Sequence, residues 1–138
     1  MEKTFHVQVI TPQKVVFDGE VSGVVAPGTV GSFEILNKHT AFISSIKIGE
    51  MRLRHEDGYE EYYAVGGGFL DVHDNKVMVL AETCEHSADI DVNRAKLAHD
   101  RARKRLEDRA NYDIDLVNQA LQRAANRLEI AAKRATRP

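Results

Sequence analysis

The stretch that decides the fold is ETCEHSADIDVNRAKLAHDRARKRL, residues 82–106. Before it, β-branched and aromatic residues alternate with polar ones, and glycine is frequent. After residue 89 there is no glycine, and the only proline is the terminal Pro138. Alanine, arginine and leucine, which favour helices, become the common residues there. The stretch therefore predicts a boundary between a β-rich part and a helical part.

The helical part predicts two helices joined by a short loop. The first is expected over about residues 91–109, with Asp89 or Asp91 as N-cap, because a carboxylate there accepts the first unpaired backbone N–H groups. The segment RANYDID, residues 109–115, supplies the turn, and a second helix follows from Ile114. The expected apolar stripes are Ala95, Ala98, Ala102 and Leu106 on the first helix, and Ile114, Val117, Leu121, Ala124, Leu128, Ala131 and Ala135 on the second.

Alanine dominates these stripes, and this predicts how firmly the hairpin is held. Alanine lets two helices approach closely but buries little apolar area, which stabilises by only ~25 cal/mol per Å². Helices of this length are marginal in isolation and depend on packing. We therefore expect an α-helical hairpin that can detach from its neighbours and repack.

The β-rich part predicts an antiparallel β-sandwich. Short runs with strand periodicity, beginning with FHVQVIT at residues 5–11, recur at intervals of roughly 8–12 residues, which is typical of sandwiches. All nine glycines precede residue 69, as expected if they serve tight turns. The predicted turns are Asp18-Gly19, Pro27-Gly28, Gly49, Asp57-Gly58, Gly66-Gly67-Gly68 and Asp74-Asn75.

Together these patterns predict an α+β chain with two domains, a sandwich over residues 1–88 and a helical hairpin over residues 89–138. The charge distribution supports the division: residues 1–90 hold 7 Lys/Arg against 14 Asp/Glu, and residues 91–138 hold 12 against 7. Such asymmetry indicates parts that meet different partners or each other. No apolar run is long enough to span a membrane, and the start, MEKTFHVQVI, lacks the pattern of a signal peptide. One cysteine allows no internal disulfide and fits a reducing compartment.

Cys84 and His86 suggest a metal or catalytic site, but the pattern is incomplete for both. A zinc site normally needs two close ligand pairs, and a thiolate nucleophile needs a base and an orienting group. We therefore expect a buried Cys84 at a strand end, and neither a metal site nor catalysis. The glycine-rich segments 64–72 and 27–36 match neither phosphate-binding fingerprint, so we expect turns there.

Arginines follow one face of each predicted helix, and two interpretations stay open. These residues are Arg94, Arg101, Arg105 and Arg109 on the first helix, and Arg123, Arg127 and Arg134 on the second. They could form a solvated face with i,i+4 ion pairs, or bind the phosphates of a nucleotide. Nucleic acid is not expected, because the chain is net acidic and Tyr112 is the one aromatic residue available for stacking.

Several segments in order carry a resemblance that covers nearly the whole chain. They are VITPQKVVFDGEVSGVVAPGTVGSFEILNKHTAFISSIKIGEMRLR, AVGGGFLDVHDNKVMVLAETCE, DIDVNRAKLAHDRARKRL and RAANRLEIA. Their joint order and spacing resemble the epsilon subunit of the rotary, proton-translocating F-type ATP synthase of bacteria. The resemblance implies a β-sandwich followed by a helical hairpin, in a central-stalk subunit that performs no chemistry itself.

The resemblance also implies partners and a location. The subunit would bind the gamma subunit and the c-ring, and the alpha and beta subunits when the hairpin is extended. It would couple proton-driven rotation to ATP synthesis and inhibit ATP hydrolysis through its C-terminal helices. It would sit on the cytoplasmic face of the bacterial plasma membrane as a peripheral protein. No cofactor is required, with ATP as a possible regulatory ligand.

Two sets of site residues follow from matching motifs. ATP-binding members resemble this chain at Ile90-Asp91-Val92-Asn93-Arg94-Ala95, and this alternative makes the hairpin an ATP-sensing module. The full ATP set would be Glu85, Ile90, Asp91, Arg94, Ala95, Arg101, Arg123 and Arg127. The contacts to c-ring or gamma would involve Gly28, Gly31, Ser32 and His39. The loop around His39, EILNKHTAF, lacks the family's prolines and one glycine, which affects its stiffness.

Overall fold

A computed structural model describes residues 3–134, so predicted stripe residue Ala135 and the two termini lie outside the described residues. The described chain forms eight strands, two 3₁₀ turns and two α-helices. The strands are β1 (Phe5–Ile10), β2 (Val15–Val21), β3 (Gly23–Pro27), β4 (Ser32–Leu36), β5 (Phe42–Arg54), β6 (Glu60–His73), β7 (Lys76–Ala81) and β8 (Cys84–His86). The 3₁₀ turns span Ser87–Asp89 and Arg109–Asn111, and the helices are α1 (Val92–Leu106) and α2 (Ile114–Arg134).

The chain separates into two compact units, Met1–His86 and Ser87–Pro138. The first unit is a β-sandwich built from one continuous sheet in the order β2-β1-β7-β6-β5-β3-β4, with β8 also paired to β6. The second unit is a pair of packed helices. The predicted fold class, a β-sandwich followed by an α-helical hairpin, is confirmed.

One strand pair departs from the predicted antiparallel pattern. β1 pairs with β2 antiparallel on one side but with β7 parallel on the other, from His6–Lys76 to Ile10–Leu80. Parallel neighbours need a long connection, and here strands β2 to β6 supply it. β1 and β7 are therefore neighbours in the sheet although they lie far apart in the chain. The periodicity of short segments cannot reveal such a pairing.

The two longest strands correct several predicted turns. β5 and β6 pair from Phe42–Val72 through to Arg54–Glu60, so Gly49 and Gly66-Gly67-Gly68 lie within strands. Gly67 and Gly68 have positive φ angles of 98° and 146°, which fit a bend within a strand. A side chain at Gly68 would collide with the Leu80 carbonyl oxygen. Gly19 likewise lies inside β2, so these glycines are strand residues where turns were expected.

Other predicted turns are present where the sequence placed them. Asp57-Gly58 lies between β5 and β6, with Gly58 at a φ of 91°. Asp74 and Asn75 join β6 to β7, both in the left-handed region that Asn and Asp tolerate.

The sandwich core follows the predicted alternation. In β1, the side chains of Phe5, Val7 and Val9 are buried. The core collects large apolar residues from β1 to β7, including Val21, Val24, Ile35, Met51, Leu53, Leu70, Val72, Val77 and Val79, and β8 adds Cys84. This packed interior fixes the loops and outer faces that carry the candidate sites.

Carboxylates define the starts of both helices. The Asp91 side chain accepts a 3.0 Å hydrogen bond from the Arg94 backbone N–H, so Asp91 is the N-cap of α1 and Asp89 is not. The Asp113 carboxylate accepts from the backbone N–H of Asp115 at 3.1 Å. α1 ends at Leu106, three residues earlier than predicted, because the 3₁₀ turn from Arg109 to Asn111 follows.

Candidate functional site

The segment Ile90 to Ala95 has a structural role in starting α1. Ile90 and Ala95 are buried, and the Asp91 side chain caps the helix. An apolar residue, a cap and a small buried residue at these spacings suffice to begin a packed helix. Three of the predicted ATP-binding residues are thus explained by folding, and the arginines remain as candidates for phosphate contacts.

The four predicted ATP-binding arginines differ in exposure. Arg94 and Arg101 are exposed and lie seven residues apart on α1, so they project from one face. Arg123 and Arg127 are partly buried and lie four residues apart on α2. Each helix therefore presents its own pair of guanidinium groups, the type of donor that binds phosphate best. Glu85, the remaining predicted residue, is partly buried in β8 of the first unit.

A groove of about 260 Å³ lies at the loop end of the hairpin. The Arg105 guanidinium carbon sits 5.1 Å from the centre of the Tyr112 ring, a cation–π geometry. The groove is lined by Ala98, Arg101, Ala102, Arg105, Tyr112, Asp113, Leu116, Val117 and Ala120. Arg101 therefore belongs to this groove, a grouping that the sequence did not predict because it depends on how the two helices pack.

The predicted c-ring or gamma contacts lie at the ends of β3, β4 and β5. Gly28 follows β3 and bridges to Ile46, while Ser32 begins β4. A Cβ atom at Gly28 would lie 2.6 Å from the Gly31 carbonyl oxygen, so glycine is needed for this tight tip. Gly31 itself has a φ of 153° and open space around it.

A chain of aromatic contacts joins this tip to His39. The rings of Phe33 and Phe42 meet edge to face at 5.2 Å, and the His39 ring meets Phe42 at 5.8 Å. The His39 Nδ1 atom also lies 2.7 Å from the Thr40 carbonyl oxygen. Phe33 and Phe42 were missed by the sequence argument, although both lie within the segments it singled out. Val30, at the tip, is fully exposed.

A second feature that the sequence argument missed is an apolar row on the outside of the sheet. Register places Phe69 opposite Leu80, Leu80 opposite Ile10, and Ile10 opposite Val15, so these four side chains share one face. Phe69 is 59% exposed, Val15 52% and Leu80 49%. We call these four residues the outer apolar row. Exposed apolar residues grouped in this way mark protein-binding surfaces.

Cys84 is buried at the start of β8, as predicted. Burial in the sandwich and, to a smaller extent, the nearby Glu85 carboxylate raise its pKa from 9.0 to about 12. The thiol is therefore protonated at neutral pH, which argues against a nucleophile because the thiolate is the reactive form.

Two further structural observations concern function. Within residues 3–134, no group of three or more His, Cys, Asp or Glu side chains is arranged to hold a metal ion. Over the same residues, neither helix is long and apolar enough to cross a membrane.

Comparisons with known proteins assign both units. The description "ATP synthase, Delta/Epsilon chain, beta-sandwich domain" matches residues 4–87, and "ATP synthase, Delta/Epsilon chain, long alpha-helix domain" matches residues 88–132. An ATP synthase epsilon chain of Syntrophomonas wolfei is 40% identical over 133 residues, which is 96% of this chain and 97% of that one. One from Nitratidesulfovibrio vulgaris is 41% identical over 131 residues, 94% of this chain and 97% of its own length.

Solved structures share the fold. A chain in the cryo-EM structure of Euglena gracilis mitochondrial ATP synthase, OSCP/F1/c-ring in rotational state 1, matches with a TM-score of 0.78 and 18% identity, covering 96% of this chain and 83% of that one. A chain in the central stalk/c-ring structure of Tetrahymena thermophila mitochondrial ATP synthase matches with a TM-score of 0.53 and 24% identity, covering 62% and 69%. With both units matched in order and relatives identical at about two positions in five, the chain belongs to the ATP synthase delta/epsilon family, as a non-catalytic chain of the epsilon type.

Proposed function

We propose that this chain is a rotor subunit of a bacterial ATP synthase, in which the sandwich attaches to the gamma subunit and the c-ring and the hairpin restrains ATP hydrolysis. It would thereby couple proton-driven rotation to ATP synthesis at the cytoplasmic face of the plasma membrane, as a peripheral protein. The observation that carries the proposal is that the first unit has a row of exposed large apolar side chains on its sheet, while α1 of the second unit buries only two alanines.

The sandwich offers two surfaces for attachment. The outer apolar row presents Phe69 and Leu80 side by side, and burying such residues in a partner stabilises by about 1.5–3 kcal/mol each. The second surface is the tip between β3 and β4, with Val30 and the aromatic contacts that lead to His39. We assign the outer apolar row to gamma and the tip to the c-ring.

Two variants test these assignments, because one should lose gamma and the other should lose the c-ring. Phe69→Glu should abolish copurification with gamma, because it places a charge in an apolar contact. Val30→Asp should weaken retention on the c-ring and leave gamma binding intact. Both side chains are exposed, so the isolated chain should keep its circular dichroism spectrum. If both variants recover gamma and c-ring from detergent-solubilised membranes as well as wild type does, the assignments are wrong.

The hairpin is suited to regulation because it can change partners at a small cost in buried area. Its buried side chains are small or few: Ala95 and Ala102 on α1, and Val117, Ala124 and Ile130 on α2. Basic residues Arg103, Lys104 and Arg105 occupy the last turn of α1, where they would meet acidic surfaces of the alpha and beta subunits.

Truncation after Ala88 tests the regulatory role in the assembled complex. The shortened chain keeps all eight strands and should still assemble with gamma. We expect ATP hydrolysis by the complex to rise, while proton pumping stays coupled to it. A charge-reversal variant, Arg103→Glu with Lys104→Glu, should raise hydrolysis in the same direction. Hydrolysis rates equal to wild type in both variants would show that the hairpin does not restrain this enzyme.

A second candidate function is ATP sensing by the hairpin, which the two guanidinium pairs on α1 and α2 favour. Arg94 and Arg101 on α1, with Arg123 and Arg127 on α2, would hold the phosphates, and the Asp91 carboxylate would accept a hydrogen bond. Titration calorimetry of the full chain with ATP, with and without magnesium, should give heat that Arg94→Ala removes. Arg109→Ala, in the loop between the helices, is the matched control and should bind as wild type does. The absence of heat up to millimolar ATP would exclude this role.

A further inference from the structure

The loop between β4 and β5 is tied to the turn between β6 and β7 by one side chain. The Asn75 Oδ1 atom accepts a 2.6 Å hydrogen bond from the Lys38 backbone N–H. The Asn75 Nδ2 atom donates a second bond, of 2.8 Å, to Asn37 Oδ1. We call these two bonds the asparagine bridge. It joins segments that lie 37 and 38 positions apart in the chain.

The bridge meets the β4–β5 loop at a tight turn. The His39 backbone N–H donates to the Leu36 carbonyl oxygen at 3.1 Å, which closes a four-residue turn with Lys38 in its third position. Lys38 has a φ of 63°, in the left-handed region that glycine and asparagine adopt more easily than lysine does. Residues 34–42 contain neither glycine nor proline. The sequence of the loop therefore does little to hold this turn, and hydrogen bonds from outside the loop support it.

Asn75 is a firm support because it lies in a tight hairpin. Asp74 and Asn75 form the connection between β6 and β7, and the residues on either side, His73 and Lys76, pair across the two strands. The Asn75 side chain is half-buried. Residues 37–41, in contrast, belong to no strand. The bridge thus attaches an irregular loop to a regular part of the sheet.

The turn also determines where His39 lies. His39 is the last residue of the turn, and its ring meets the Phe42 ring at 5.8 Å. Phe42 begins β5 opposite Val72 of β6, two residues before the β6–β7 turn. A loop that moved away from Asn75 would carry the His39 backbone with it and separate the two rings. The asparagine bridge therefore supports the surface that we assign to the c-ring.

We propose that Asn75 is a positioning residue for the c-ring contact: through the asparagine bridge it holds the turn in the shape that presents His39. This inference rests on the proposed attachment of the tip to the c-ring. A loop that already has its bound shape loses less conformational freedom when the partner binds, so the complex is tighter. Removal of the bridge should weaken the contact although every assigned contact residue is still present.

Two glycine variants of the same turn isolate the side chain of Asn75. Asn75→Gly removes the bridge and keeps the positive φ of 57°, which glycine tolerates. Asp74→Gly is the matched control, because it replaces a neighbour with a φ of 52° at a similar backbone cost and leaves the bridge in place.

The first measurement is the exchange of the Lys38 amide hydrogen with water, followed by NMR on the full chain. This exchange should be about two- to tenfold faster in Asn75→Gly, the range expected for loss of one hydrogen bond. It should be unchanged in Asp74→Gly. Exchange at Lys38 that is equal to wild type in Asn75→Gly overturns the proposal.

The second measurement is retention on the c-ring in detergent-solubilised membranes. Asn75→Gly should retain about two- to tenfold less c-ring than wild type, as expected for a contact weakened by about one hydrogen bond, and Asp74→Gly should retain as much as wild type. Asn75→Asp should restore retention, because its carboxylate accepts from the Lys38 N–H and, once the Asn37 amide rotates, from Asn37 too. Wild-type retention in Asn75→Gly, or no rescue by Asn75→Asp, overturns the positioning role.

Val30→Asp, which tests the proposed function, keeps the two possible failures apart. If Val30→Asp loses the c-ring and Asn75→Gly does not, the contact stands and the positioning role is wrong. If Lys38 exchange is faster in Asn75→Gly but neither variant loses the c-ring, the assignment of the tip is wrong, and the positioning role is wrong with it.

Discussion

The sandwich and the hairpin bury very different side chains. In the sandwich, Leu53, Leu70 and Met51 are completely buried among valines and aromatic residues. In α1, the only buried residues are Ala95 and Ala102. Leucines of both helices are exposed: Leu97 on α1 is 64% exposed and Leu116 on α2 is 61% exposed. The difference teaches that the free energy of folding is concentrated in the first unit. The second unit keeps leucines on its surface and, among its described residues, buries only Ile90, Val117 and Ile130 besides three alanines, which fits the exchange of partners proposed above.

Leu70→Ala should have the largest effect, and it tests whether the free energy of folding is concentrated in the sandwich core. Its side chain is completely buried in β6, and truncation of such a leucine costs about 2–5 kcal/mol of unfolding free energy. Phe69→Ala, one residue earlier and exposed, is the control and should cost less than about 1 kcal/mol. Urea unfolding followed by far-UV circular dichroism measures both. Equal losses would contradict the placement of the core.

Gly68→Ala tests the backbone of the same strand. A Cβ atom would collide with the Leu80 carbonyl oxygen and lie 2.9 Å from the Ala81 Cα atom, at a φ of 146°. We expect a loss of at least about 3 kcal/mol, from strain and from a separated β6–β7 pair. Gly31→Ala also has a positive φ but meets nothing within 4 Å, so it should lose only about 1–2 kcal/mol. The midpoints of thermal unfolding rank the two variants, and a reversed order would refute this account.

The buried thiol of Cys84 makes the stability of the sandwich depend on pH in the alkaline range. Burial raises its pKa to about 12 from 9.0 in an exposed thiol, so between these values the folded chain holds a proton that the unfolded chain has lost. Unfolding free energy therefore falls as pH rises above 9, by up to about 1.4 kcal/mol per pH unit from this group. Cys84→Ala lacks this contribution. Urea unfolding at pH 9.0 and 10.0 measures the unfolding free energy of both proteins. Between these two pH values, the unfolding free energy of wild type should fall by about 1 kcal/mol relative to that of Cys84→Ala.

Asp91→Ala tests the hairpin, with the smallest expected effect. Loss of the 3.0 Å cap to the Arg94 N–H should destabilise α1 by about 1 kcal/mol. Asp89→Ala, the rejected cap position, should have less effect on α1. Amide hydrogen exchange should speed up in α1 of Asp91→Ala while the strands exchange as in wild type. Faster exchange throughout the sandwich would mean that the two units unfold together.

The sequence predicted features that depend on local chemistry. Asp91 as a helix cap, Asp74-Asn75 as a turn, and the alternation of β1 all follow from residues within a few positions of one another. The glycines at 49 and 66–68 were misassigned because a glycine permits either a turn or a close approach of two strands. Only the pairing of β6 with β5 on one side and β7 on the other distinguishes these uses, and at these glycines that pairing joins residues more than ten positions apart.

The candidate sites divide in the same way. Gly28 and His39 were predicted as contact residues from motif positions and stay predictions. Phe33 and Phe42, whose rings lie between them, were not predicted, because ring contacts depend on where β4 and β5 meet. The outer apolar row was also invisible in the sequence. It combines one residue from each of four strands, and each strand on its own has an ordinary alternation.

The length of β5 and β6 has a mechanical consequence. Each strand continues through its central glycines without a break. The two strands pair with each other from Phe42–Val72 at one end to Arg54–Glu60 at the other. A sandwich whose halves share two continuous strands resists shear, because sliding one half over the other would stretch covalent backbone. A load applied at the tip between β3 and β4 therefore reaches β7 and β1 through a stiff body, which suits the rotor role proposed above.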